Sequence, residues 1–200
     1  MKIAAYQAKA VNGDRLEAIK TISKVLASTD ADIVCFPECY LTGYFRKMPE
    51  AFNESIDLSS KDFGEVLATL AAFDQTVILG LIEREGNNLF NTAVVTKQGK
   101  LLGKYRKQHV NESAFLAWDQ SPVFDQDGTT FGINICNDAN YPECAKELSK
   151  LGAKIIFYPL NNTLPKEIAD KWRSKHLENL IARARPPFCV PDDTFRITNI

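Results

Sequence analysis

Apolar positions along the chain follow two periods, and the alternation between them predicts its elements. Residues 2–7 form a short apolar segment that predicts a strand, closed by a turn at Asn12-Gly13. From 14 to 28 the stripe Leu16, Ile19, Ile22, Val25 and Leu26 has helical spacing, with Asp14 placed to cap it. Ile33-Val34-Cys35-Phe36 is an unbroken apolar run, as expected of a strand covered on both faces. Gly43, Pro49 and polar residues interrupt the pattern over 41–60, which predicts a loop carrying Tyr44, Phe45 and Phe52. A second helix is predicted over 61–73, then strands over 76–83 and 89–96 around Gly86-Asn87-Asn88. Gln98-Gly99 turns the chain into a short strand at Leu101-Leu102, and the basic stretch 103–110 leads away from it.

The run 129–136 alternates and ends apolar, predicting a buried strand that hands over to a turn at 137–140. Tyr141-Pro142-Glu143 marks a helix start with proline in its first turn, and Gly152 marks its end. A buried strand over 154–158 and a long helix over 166–185 follow. Parallel crossovers and hairpins are mixed in this order, which implies a layered α/β fold rather than pure βαβ winding.

Composition narrows the function without assigning it. Two hundred residues suit one domain, and a formal net charge of −1 carries no basic footprint for nucleic acid. No apolar run approaches the roughly 20 residues of a membrane helix, and the start of the chain is too briefly apolar for a signal peptide. The five cysteines, Cys35, Cys39, Cys136, Cys144 and Cys189, lie in no metal-ligand spacing, and two histidines leave little for a zinc site. A reduced, cytoplasmic enzyme fits this usage.

Three chemically suited residues fall just beyond predicted strands: Glu38, Lys107 and Cys136. In an open α/β sheet that edge is where ligands bind. Each has an ordinary reading when taken alone. Free cysteine is often inert and buried, a loop glutamate is usually solvated, and a basic stretch is usually a solvated face. At a strand-to-helix junction, however, nearby backbone N–H groups and the helix N-terminus would favour a Cys136 thiolate.

The segments Phe36-Pro37-Glu38, Tyr105-Arg106-Lys107-Gln108-His109 and Ile135-Cys136-Asn137-Asp138, followed by Tyr141-Pro142-Glu143, resemble the nitrilase superfamily of carbon–nitrogen hydrolases. The resemblance runs from Lys2 to about Arg185. It implies a four-layer α-β-β-α sandwich and a Glu-Lys-Cys triad, with Glu38 as general base, Lys107 as cationic stabiliser and Cys136 as nucleophile. Glu112 matches a second glutamate beside the lysine. The implied substrate is a small amide, N-carbamoyl amine or nitrile, with the first two favoured, and the implied assembly is a homodimer or higher homo-oligomer. No metal or organic cofactor is implied. Tyr44, Trp118 and Asn161 are candidates for the substrate pocket by position. Asn137 is another, and it departs from the aromatic residue common after the family's nucleophile.

The resemblance stops near Arg185, where family members continue with further strands of the second sheet. Pro186-Pro187-Phe188-Cys189 breaks the helix, so residues 1–185 are expected to form the hydrolase domain and 186–200 a divergent tail. The expectation is a truncated member with an incomplete second sheet and weak or absent activity. The rival readings are an inactive fragment serving only as an association module, and a thiol sensor pairing Cys136 with Cys144 or Cys35.

Overall fold

The computed structural model describes residues 1–7, 11 and 13–161, with Glu167, Asp170, Lys175, Glu178, Ile181 and Ala182 beyond them, all six helical and exposed. The rest of the helix predicted over 166–185, and the tail 186–200, lie outside the described residues.

Strands β1 (Ile3–Ala5), β2 (Ile33–Cys35), β3 (Thr76–Glu85), β4 (Asn88–Lys97) and β5 (Lys100–Arg106) form one sheet in that order. The first three are parallel, while β3–β4 and β4–β5 are antiparallel. The β3–β4 hairpin closes on Gly86-Asn87, with Gly86 at φ +60° as a tight turn requires. β5 is longer than the two-residue strand expected, so half of the basic stretch is strand and Lys107 stands directly at its end.

A second sheet holds three strands among the described residues, β6 (Val123–Gln126), β7 (Thr129–Ile133) and β8 (Ile155–Phe157). The hydrophobic pattern did not predict β6, a four-residue strand containing Asp125. Asp127-Gly128 turns the chain into β7, supplying the two positive φ angles a two-residue hairpin needs.

Helix α1 (Arg15–Ala27) is capped by Asp14, which accepts a hydrogen bond from Glu17 N at 3.0 Å. Ala18, Ile22 and Leu26 face the core, whereas Leu16 is 72% exposed. At 100° per residue Leu16 lies about 120° around the helix from Ile22, outside the buried stripe. The stretch 41–60 is not all loop: α2 (Glu50–Glu54) interrupts it, and Ile56 bridges to Glu83.

Helices α1 and α3 (Lys61–Leu70) cover the outer face of the first sheet, burying Ile22, Leu26, Phe63 and Val66 against Val34, Val77 and Leu79. Between the sheets, Ile33, Ile78, Val95 and Tyr105 meet Phe131, Ile133 and Phe157. Helix α4 (Pro142–Lys150) closes the far side, where Leu148 occupies the space that a Cβ at Gly132 would need. The result is the four-layer α-β-β-α sandwich. Among the described residues no helix is long and apolar enough to cross a membrane.

Candidate active site

Glu38 follows β2 by three residues. Phe36 N still bonds Ile78 O at 2.8 Å, and Leu41 N returns to Gly80 O at 3.0 Å, so the intervening turn lies flat over β3. Only glycine fits beneath it: a Cβ at position 80 would lie 2.5 Å from Cys39 N and 3.0 Å from Glu38 C. Lys107 is held by its backbone, with N bonded to Asn91 O at 2.8 Å and O accepting from Trp118 N at 3.2 Å.

These segments place Glu38, Lys107 and Glu112 in one buried cluster with 0%, 1% and 3% residue exposure. Lys107 Nζ lies 2.9 Å from Glu38 Oε1 and 3.0 Å from Glu112 Oε1. Asn91 Nδ2 also donates to Glu38 Oε1 at 2.7 Å, and Asn161 N to Glu38 Oε2 at 3.0 Å. Glu112 accepts from the Tyr44 hydroxyl and from Asn111 N. Every carboxylate oxygen in the cluster therefore has a donor, as buried charge demands.

Cys136 comes from the other sheet. It opens a 3₁₀ helix, Cys136–Asn140, at φ +46°, a left-handed conformation unfavourable for a side chain with Cβ. Its N–H donates to Pro159 O at 3.1 Å beside β8. Such strain persists only where the surroundings enforce it.

Burial pushes the Cys136 thiol up to about 12, and the Glu38 charge adds to that while Lys107 opposes it. The resting group is a thiol, not the thiolate expected from a helix N-terminus, because desolvation outweighs the local dipoles. Burial also raises Glu38 above the ordinary carboxylate range, against the pull of Lys107 and Asn91. For Lys107, burial would lower the pKa, but the Glu38 and Glu112 carboxylates hold it above the usual lysine value. Glu112 is held low: burial alone would raise it, and Lys107 and Tyr44 more than offset that.

The four pocket candidates separate. Tyr44 reaches the cluster through Glu112. Asn161 supports Glu38 twice, through its N–H and through Nδ2 to Glu38 O at 3.3 Å. Asn137 spends its amide on His109 O and Asn111 Oδ1, at 2.9 and 3.0 Å. Trp118 is not brought to the cluster by its side chain. Its ring packs edge-on to Phe90 and over the Arg106 guanidinium, which binds Glu83 Oε1 at 2.6 Å.

Two polar residues in the site were missed from sequence, Asn91 and Asp138, both buried. An asparagine directly after Leu89-Phe90 in β4 was the available signal for the first. His109, Asp138 and Cys144 each bring a possible ligand atom within 4.8 Å of the others. Asp138 already accepts three hydrogen bonds and the Cys144 thiol donates to Gln108 Oε1 at 3.2 Å, so this cluster belongs to the scaffold.

Comparison with known proteins agrees with this fold. The family profile described as carbon–nitrogen hydrolase matches residues 2–185. A protein of Pseudomonas protegens, described as the hydrolase in the pqqF 5′ region, is 30% identical over 98% of this chain and 72% of its own length. An (R)-stereoselective amidase of a Pseudomonas species is 28% identical over 92% of this chain and 67% of its own length. The crystal structure of a carbon–nitrogen hydrolase from Helicobacter pylori superposes with a TM-score of 0.77 at 23% identity, covering 92% of this chain and 69% of that one. The chain spans about two-thirds of the length of such curated relatives.

Proposed function

We propose that this chain, which belongs to the carbon–nitrogen hydrolase family, cleaves a small carboxamide or N-carbamoyl amine through a thioester on Cys136. The observation that carries the reading is the Lys107 ammonium held between two buried carboxylates, with a neutral thiol beside them. Its relatives include a nitrilase as well as amidases, and the greater number of amidases supports an amide.

Glu38, raised by burial, takes the thiol proton as sulfur attacks the carbonyl carbon. The developing oxyanion accepts from the Lys107 ammonium and the Asn137 backbone N–H. Glu38 passes its proton to the nitrogen, which leaves as ammonia or an amine. Glu38 then removes a proton from water, the hydroxide attacks the thioester, and sulfur departs with the proton returned to it. Glu112 balances the lysine charge throughout and fixes its long side chain.

We further infer self-association through α4, whose flanking residues Tyr141 and Leu151 are 36% and 51% exposed. Light scattering at micromolar concentration checks this, and a stable monomer refutes it. For the chemistry, a panel of primary amides, N-carbamoyl amines and nitriles is incubated with the protein and with Cys136→Ala, and ammonia is measured. Release by the parent chain alone supports the proposal; release by both refutes the covalent route.

A further inference from the structure

The cluster is divided between the two sheets. Glu38, Lys107 and Asn91 stand on the first sheet or its loops, while Cys136 stands at the end of β7 in the second. Something must fix the turn of one sheet against the loops of the other. The buried Asp138 carboxylate does this at three points. Its Oδ2 accepts from Tyr105 OH at 2.7 Å and from Ile135 N at 2.9 Å, and its Oδ1 accepts from His109 N at 2.8 Å. Tyr105 lies on β5, inside the core between the sheets. His109 is two residues beyond Lys107, and Ile135 immediately precedes Cys136.

We propose that Asp138 is a positioning residue whose carboxylate docks the Cys136 turn onto the sheet bearing Glu38 and Lys107, setting the thiol's place relative to both. The inference rests on the proposed role of Cys136. Other contacts cross the same seam, but those of Asn137 run through partly exposed groups. The Asp138 bonds to Tyr105 and Ile135 are fully buried, all three end on one carboxylate, and among the described residues they alone join β5, the Lys107 loop and the nucleophile turn at one group. Asparagine there would turn an N–H₂ toward a backbone N–H on one side, leaving a donor facing a donor.

The test measures alkylation of Cys136 by iodoacetamide, residue by residue, in the parent chain and in Asp138→Asn. Loss of one buried charge-assisted bond is worth about tenfold or more in an equilibrium. Cys136 is therefore expected to react about tenfold faster in the variant as its turn loosens, with Cys35 and Cys39 still protected. With an amide that the parent turns over, kcat falls at least about tenfold while KM moves less than about threefold, since the binding groups stay in place. Unchanged Cys136 labelling, or simultaneous exposure of Cys35 and Cys39, overturns the proposal. If Asp138→Asn does not fold, Tyr105→Phe removes one of the three donors and must show the same selective labelling in weaker form. A parent chain without turnover defeats the functional reading, while the labelling result still decides the role of Asp138.

Discussion

Glu38 and Lys107, 69 positions apart in sequence, meet at 2.9 Å with side chains that are 0% and 1% exposed. An ion pair so fully desolvated is held by geometry rather than by its own attraction, and it tolerates little change in the shape of either partner. The compact ammonium touches two carboxylates at once, which a planar guanidinium would reach along a different axis.

Replacing Lys107 by arginine is therefore expected to be nearly as damaging as replacing it by alanine. Both should lower kcat by on the order of 100-fold, the usual loss for a donor to an oxyanion. Steady-state ammonia release from the two variants checks this, and near-parental turnover in the arginine variant would reduce Lys107 to a general source of charge.

Cys136→Ala and Cys136→Gly should both be inactive but should differ in stability. At φ +46° alanine keeps the left-handed strain that glycine relieves, about 1–2 kcal/mol, part of which glycine returns through its freer unfolded chain. The glycine variant is expected to be more stable by about 0.5–1 kcal/mol in urea unfolding. Equal midpoints would mean that the turn carries no strain.

Stability should fall in alkaline solution. Burial pushes the Cys35 and Cys136 thiols up to about 12 from an ordinary 9.0. Between those values the unfolded chain has lost protons that the folded chain keeps, so unfolding is favoured as pH rises, by up to about 1.4 kcal/mol per pH unit for each thiol. Melting temperatures above pH 9 should decline less steeply in Cys136→Ala than in the parent chain. Parallel declines would show that Cys136 ionises freely when folded.

Gly80→Ala adds one methyl group directly under the Glu38 turn, against backbone that cannot swing aside. A cost of roughly 1–3 kcal/mol is expected from overpacking, together with loss of turnover as Glu38 is lifted from Lys107. Circular dichroism melting with an ammonia assay tests both; an active, equally stable variant would mean that the turn is looser than its contacts indicate.

Much of the architecture was legible because burial writes itself into periodicity. The runs at 33–36 and 129–136 and the capped helix after Asp14 all lie close to where their patterns placed them. Glu38, Lys107 and Cys136 could be singled out together because each stands just past a strand. What escaped reading depends on groups distant in sequence. Asn91 looks like a flaw in a strand until Glu38 and Cys39 are placed beside it. Trp118 follows Glu112 closely enough to suggest the pocket, yet a guanidinium from β5 claims its ring. The protonation of Cys136 depends on how much water the sandwich excludes, which no local motif encodes.

The site's partition between two sheets makes the filling of the sandwich a spacer. The layer formed by Ile78, Val95, Phe131 and Ile133 lies between the sheet that carries Glu38 and the one that carries Cys136, so its thickness bears on how far the Cys136 sulfur stands from the Glu38 carboxylate. A methylene removed or added there changes that gap as a shim changes the alignment of two plates. Substitutions in this layer should then alter turnover before they cost the fold its cooperativity, so reaction rate becomes a gauge of core volume.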